Sequence, residues 1–98
     1  MKTFEESLSR DLQDPEFRAE WERTAFARAV ANRIVKYRGK NKLTQAQLAV
    51  RLSMHQSAIA RLELGEHEPS IATLARLSTG LGINFHIAIK PGSLSLSA

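Results

Sequence analysis

Gln56, Ser57, Ala58 and Arg61 fall within one short run, Gln56-Ser57-Ala58-Ile59-Ala60-Arg61-Leu62-Glu63, and together they hold the chemistry that reads base edges. Gln pairs bidentately with adenine, Arg does the same with guanine, a Ser hydroxyl donates or accepts, and an Ala methyl meets the thymine methyl. Upstream, Thr44 and Gln45 would set a hydroxyl, an amide and unpaired helix N–H groups against a phosphate. Lys40 and Lys42 extend that positive edge. Other chemistry is hard to assemble from this chain. His55, His67 and His86 lack the close spacings of a metal site, and a solvated loop is the simpler reading of Glu66-His67-Glu68. There is no cysteine, glycine-rich phosphate loop or elbow-type serine. No catalysis, metal or cofactor is expected.

Three short helices must position these groups. Thr44 is an N-cap for a helix with Leu48, Ala49 and Leu52 inward. Ser53-Met54-His55 interrupts the pattern, and a second helix of about two turns starts at Gln56, turns Ile59 and Leu62 inward and stops at Gly65. Ser70 caps a third helix, whose apolar stripe Ile71, Leu74, Ala75, Leu77 and Leu81 ends at Gly82. Helices this short are marginal alone in water, so packing on one another and on the helix before Gly39 must hold them. A merely solvated face is the plain alternative for Gln56, Ser57 and Arg61.

The order Leu43-Thr44-Gln45-x-x-Leu48-Ala49, Gln56-Ser57-x-Ile59-x-Arg61-Leu62-Glu63-x-Gly65 and Pro69-Ser70-x-x-x-Leu74 resembles the Xre-type helix-turn-helix family of phage repressors and bacterial regulators. That resemblance implies phosphate clamping by Thr44 and Gln45, base reading by Gln56, Ser57 and Arg61, and a backbone contact from the Gly65 loop. It also implies a partly buried ion pair of Arg38 with Glu63, which makes Glu63 structural. Two positions depart from the family pattern. Ser53 stands where glycine is frequent and must take or avoid φ > 0 at some cost. Glu66-His67-Glu68 stands where basic residues are frequent, which implies weaker backbone affinity.

Charge is divided along the chain. Of 98 residues with net charge +4, residues 1–23 carry four basic and seven acidic side chains, net −3, and residues 24–98 carry ten basic and three acidic, net +7. No carboxylate side chain lies between Arg23 and Leu62. A basic block over the reading helices is the footprint of phosphate binding. With 43% hydrophobic residues the chain supports one small core that needs a partner to finish burial. The absence of cysteine fits a reducing compartment, and with no membrane span or signal sequence a cytoplasmic protein is expected.

The ends are read as appendages, dividing the chain into an arm (1–23), a DNA-binding domain (24–82) and a closing strand with tail (83–98). In the arm, Phe4, Leu8 and Leu12 lie a helical turn apart, and Asp14-Pro15-Glu16 starts a second helix bearing Phe17 and Trp21. That helix is read as running on, in one reading continuously, through Phe26 to Tyr37. Large apolar anchors in an acidic arm compose a docking surface for a basic partner, or else complete the chain's own core. After Gly82 the period alternates, with Phe85, Ile87 and Ile89 on one face of a strand that stops at Pro91-Gly92. With no second strand evident, pairing with its copy across a homodimer is expected, with a frayed tail from Ser93. The fold class is thus mainly α, a helix-turn-helix bundle with an N-terminal helical arm and one strand pairing across the dimer.

The Phe-Glu-Glu arm, the Asp-Pro-Glu-Phe-Arg helix start, the Xre motif and the closing strand together resemble the HigA-type antitoxins of bacterial toxin–antitoxin pairs. That resemblance implies a basic RelE/HigB-like ribonuclease toxin as partner and the pair's own operator DNA as target. It makes Phe4, Leu8, Leu12, Phe17 and Trp21 candidate toxin contacts. The rival reading is a free-standing Xre-type repressor whose arm only extends a dimer.

Overall fold

The computed structural model describes residues 3–97, so Met1 and Lys2 of the arm and Ala98 of the tail lie outside the described residues. The helix starts follow local capping chemistry. Helix α1 (Phe4–Asp11) is capped by Thr3, whose hydroxyl accepts from the Glu6 amide at 3.1 Å. Helix α2 (Pro15–Arg23) begins with Asp14 accepting from the Glu16 amide at 2.9 Å and proline in its first turn. The chain does not run on continuously from there. It breaks at Thr24 (φ −94°, ψ 5°), and α3 spans Ala25–Lys40. The Thr24 hydroxyl donates to the Glu20 carbonyl at 3.0 Å, the local competition with a regular ladder that such residues provide.

Helices α4 (Gln45–Leu52), α5 (Gln56–Leu64) and α6 (Ile71–Leu81) follow in chain order. Thr44 and Gln47 form a reciprocal capping box at the start of α4: the Gln47 amide donates to Thr44 Oγ1 at 3.1 Å and the Thr44 amide to Gln47 Oε1 at 2.9 Å. Ser70 caps α6 by accepting from the Thr73 amide. Ser53 does take the left-handed conformation, φ 54°, so the chain accepts that strain to turn tightly from α4 into α5.

One core unites α3 to α6. Phe26, Val30 and Ile34 of α3 meet Leu48, Ala49 and Leu52 of α4, Ile59 of α5, and Leu74, Leu77 and Leu81 of α6. Burying a side chain such as Ile34, Ile59 or Leu77 in full contributes about 1.5–3 kcal/mol. Gly80 has a packing role, because a Cβ there would collide with Leu52 Cδ2 across the α4–α6 contact. Neither α1 nor α2 contains a buried residue.

The C-terminus corrects one expectation. Strand β1 (His86–Lys90) has its partner within the chain: β2 (Ser93–Ser97) pairs with it antiparallel, Ile87 opposite Leu96 and Ile89 opposite Leu94. Pro91-Gly92 is therefore a two-residue hairpin turn rather than a stop, with Gly92 at φ 76°. The residues read as a frayed tail are a strand because Leu94 and Leu96 alternate with serines and set their apolar face on the core beside α3.

Candidate nucleic-acid interface

The geometry of α5 is set from beneath. Its inward residue Ile59 is fully buried, which fixes the roll of α5 and leaves Gln56, Ser57 and Arg61 exposed. Ser57 and Arg61 are one turn apart and share a face. Ala58 is half-buried and, with Met54, Leu62 and Thr73, lines a shallow cleft beside α6. Among the described residues, Arg61 forms no ion pair, so its guanidinium is available to a ligand.

The last turn of α5 is tied to the C-terminal half of α3. Arg38 donates from Nε to Glu63 Oε2 at 2.9 Å and from Nη2 to Oε1 at 2.8 Å, a bidentate pair with side chains 26% and 9% exposed. Arg38 also donates from Nη1 to the Leu43 carbonyl at 3.2 Å, and Gln45 donates from Nε2 to Glu63 Oε1 at 3.3 Å. The Arg38 hydrogen bonds hold the Glu63 carboxyl below the ordinary carboxylate range, against the opposing effect of burial, with a smaller contribution from Gln45. The same bonds raise the Arg38 guanidinium. One carboxylate thus joins the end of α3, the start of α4 and the end of α5.

The phosphate-facing candidates sit differently from one another. Thr44 is exposed, its oxygen accepting the cap bond while its hydroxyl proton remains available to an anion. Gln45 is half-buried, with one amide hydrogen engaged by Glu63. Lys40 closes α3, and Lys42, exposed and at φ 54°, stands in the turn before Thr44. The arm residues form a separate group. Phe4 is 77% exposed, Leu8 and Leu12 are half-buried, and Phe17 stacks on Trp21.

The three residues expected to face a second protomer do not share one environment. Phe85 and Ile87 are half-buried against the chain's own core, and Phe85 lies beneath Arg33; Ile89 is 76% exposed. The intrachain hairpin accounts for this, since its apolar face covers α3. What changes is the strand's partner: β1 pairs with β2 of its own chain rather than with its copy.

The helix-turn-helix family (HTH_3) matches residues 34–87, more than half of the chain, from within α3 into β1. This chain belongs to that family. The helix-turn-helix domain is 39% identical over 54 residues to an immunity repressor protein of Bacillus phage phi105, a match covering 55% of this chain and 38% of the relative. In structure it is similar to an HTH_3 family transcriptional regulator from Vibrio cholerae, with a TM-score of 0.57 and 26% identity over 62% of this chain and 34% of that one. The matches span well under half the length of both relatives. The family match leaves the arm and β2 outside the helix-turn-helix domain.

Several positioning contacts in and around that domain carry no sequence motif. Arg51 donates to the Tyr37 hydroxyl at 3.1 Å, Arg76 to the Ser53 carbonyl at 3.3 Å, and the Arg28 guanidinium lies over Trp21. The Arg76 bond supports the strained turn that delivers α5. Only the capping box had a readable signal, a Gln three residues after Thr44.

Proposed function

We propose that this helix-turn-helix protein is a repressor that binds operator DNA through α5, and that it is the antitoxin of a basic RelE/HigB-like ribonuclease toxin. Gln56, Ser57, Ala58 and Arg61 read bases; Thr44, Gln45, Lys40 and Lys42 hold the phosphate backbone. The observation that carries the antitoxin reading is the arm. It lies outside the family match, has no buried residue among those described, bears net charge −3, exposes Phe4 and carries a stacked Phe17–Trp21 pair. An acidic segment with apolar anchors complements a basic protein.

The working unit on DNA is a dimer, since one short helix covers one half-site and two-fold operators set half-sites about 34 Å apart. Ile89, exposed on a hairpin with open edges, is the residue to test for that contact. Sedimentation of Ile89→Asp as a dimer indistinguishable from the parent would remove the hairpin from the interface.

The deciding experiment is growth rescue in a cytoplasmic expression host. The neighbouring open reading frame is induced with either the full chain or residues 24–98. Growth arrest relieved by the full chain alone supports neutralisation by the arm. A harmless neighbour favours the second reading, a free-standing repressor, which the 39% identity to a phage immunity repressor supports.

A further inference from the structure

The end of α5 lies against two arginines of α3, and they differ in what holds them. Arg38 is fixed within the helix-turn-helix domain by its pairing with Glu63. Arg28 lies under Gly65, the left-handed residue (φ 65°) that ends α5. A Cβ placed on Gly65 would lie 3.2 Å from Arg28 Cα, 3.3 Å from Arg28 Cγ and 3.4 Å from Ala31 Cβ. Glycine is therefore favoured there by its conformation, and a Cβ would also press on Arg28, whose backbone and stem form the floor beneath it.

The other end of Arg28 belongs to the arm. Its guanidinium carbon lies 3.4 Å from the centroid of the Trp21 ring, and Nη1 donates to the Thr24 hydroxyl. Trp21 stacks in turn on Phe17, with centroids 6.3 Å apart and planes 17° from parallel. Contacts thus run without a gap from Phe17 and Trp21 through Arg28 to the cap of the reading helix.

We infer that Arg28 is a positioning residue for DNA binding, set by Trp21, so that the acidic arm is part of the machinery that presents Gln56, Ser57 and Arg61. An arginine side chain without a stacking partner regains rotamer freedom. When the Trp21 ring is removed, the Arg28 stem no longer holds one position under Gly65, and the last turn of α5 loosens. This inference rests on DNA binding through α5 and needs no protein partner. Its consequence for a partner follows by linkage: a protein that draws Trp21 into its own surface weakens DNA binding, and DNA weakens that protein's binding by the same factor.

Trp21 is the one tryptophan of the chain, so its emission reports on the arm directly. The test uses the full chain and a short duplex that it selects from a randomised pool. Duplex binding is expected to shift Trp21 emission, and Arg28→Gln to abolish that shift. Trp21→Ala, which changes no charge, is expected to weaken duplex affinity about three- to tenfold, within the usual range for coupling through packed side chains. Arg28→Lys, which keeps a long stem and a cation, is expected to retain parental affinity. In Trp21→Ala without DNA, amide exchange should quicken at Leu64 and Gly65 and stay unchanged at Leu48 and Leu77, which separates local loosening from unfolding. Parental duplex affinity in Trp21→Ala, an emission indifferent to duplex, or exchange raised equally throughout the core would each overturn the inference. Failure of growth rescue with these results intact would instead remove only the toxin partner.

Discussion

The helix-turn-helix domain and the arm are both helical, yet they differ in nearly every physical respect. Residues 25–81 place an apolar stripe of each of four helices in one core, and the last turn of α5 is clamped by a shielded ion pair. The arm has two capped helices with no buried residue, and its ion pairs, Arg18–Glu22 and Arg23–Glu20, are exposed pairs within one helix. Pairs of that kind contribute little. Caps can start a helix, but only burial holds it in place. The domain's core thus fixes its helices, whereas the arm leaves Phe4 exposed and meets α3 through Trp21 beside Arg28.

The largest effect should come from opening the domain's core. Leu77→Ala removes a fully buried side chain and is expected to cost about 2–5 kcal/mol in denaturant unfolding. The equivalent truncation in the arm, Phe4→Ala, should change stability by no more than about 0.5 kcal/mol. Similar losses for the two variants would show that Phe4 is packed as tightly as the core and would end the contrast.

Arg61→Ala comes next. It should weaken binding to the selected duplex by about 1–3 kcal/mol and relax preference at one base position per half-site, measured by competition with single-base variants. An unchanged preference would remove Arg61 from the reading set. Affinity should also fall steeply with added salt, because each phosphate contact releases counterions. A flat titration would mean that the net charge of +7 over residues 24–98 does not face DNA.

The local parts of this fold were legible because local chemistry determines them. Asp14, Thr44 and Ser70 cap helices as their types suggest, and Gly65 and Gly82 end them in left-handed conformations. What was not legible depends on distant neighbours. Leu94 and Leu96 among serines resemble a polar tail until α3 offers a surface to cover. At the Thr24 break one hydroxyl bonds the carbonyls of Glu20 and Trp21, and no spacing rule reveals that or that Arg28 lies over Trp21. Gln56, Ser57 and Arg61 could be grouped from their types, and all three lie exposed on α5. The hold of Glu63 on Gln45 was not legible, because it needs the ends of two helices brought together.

The smallest expected effect concerns pH and lies in the domain's own clamp. Glu63 is held below the ordinary carboxylate range chiefly by Arg38, so the folded state binds its proton more weakly than the unfolded chain does. Its contribution to stability is therefore fully present above the unfolded carboxylate value and is lost as pH falls through the lowered folded value. Thermal midpoints of the parent should decline across that acid window. Glu63→Gln should start lower at neutral pH and decline less over the same window, because the titrating group is gone. The arm carboxylates, with exposed partners, should add little to the slope, so removing residues 1–23 should leave it almost unchanged. Equal slopes for the parent and Glu63→Gln would show that the Arg38–Glu63 pair does not hold α5 to α3. The burden of positioning α5 would then fall on the buried Ile59 and on the packing of Gly65 over Arg28.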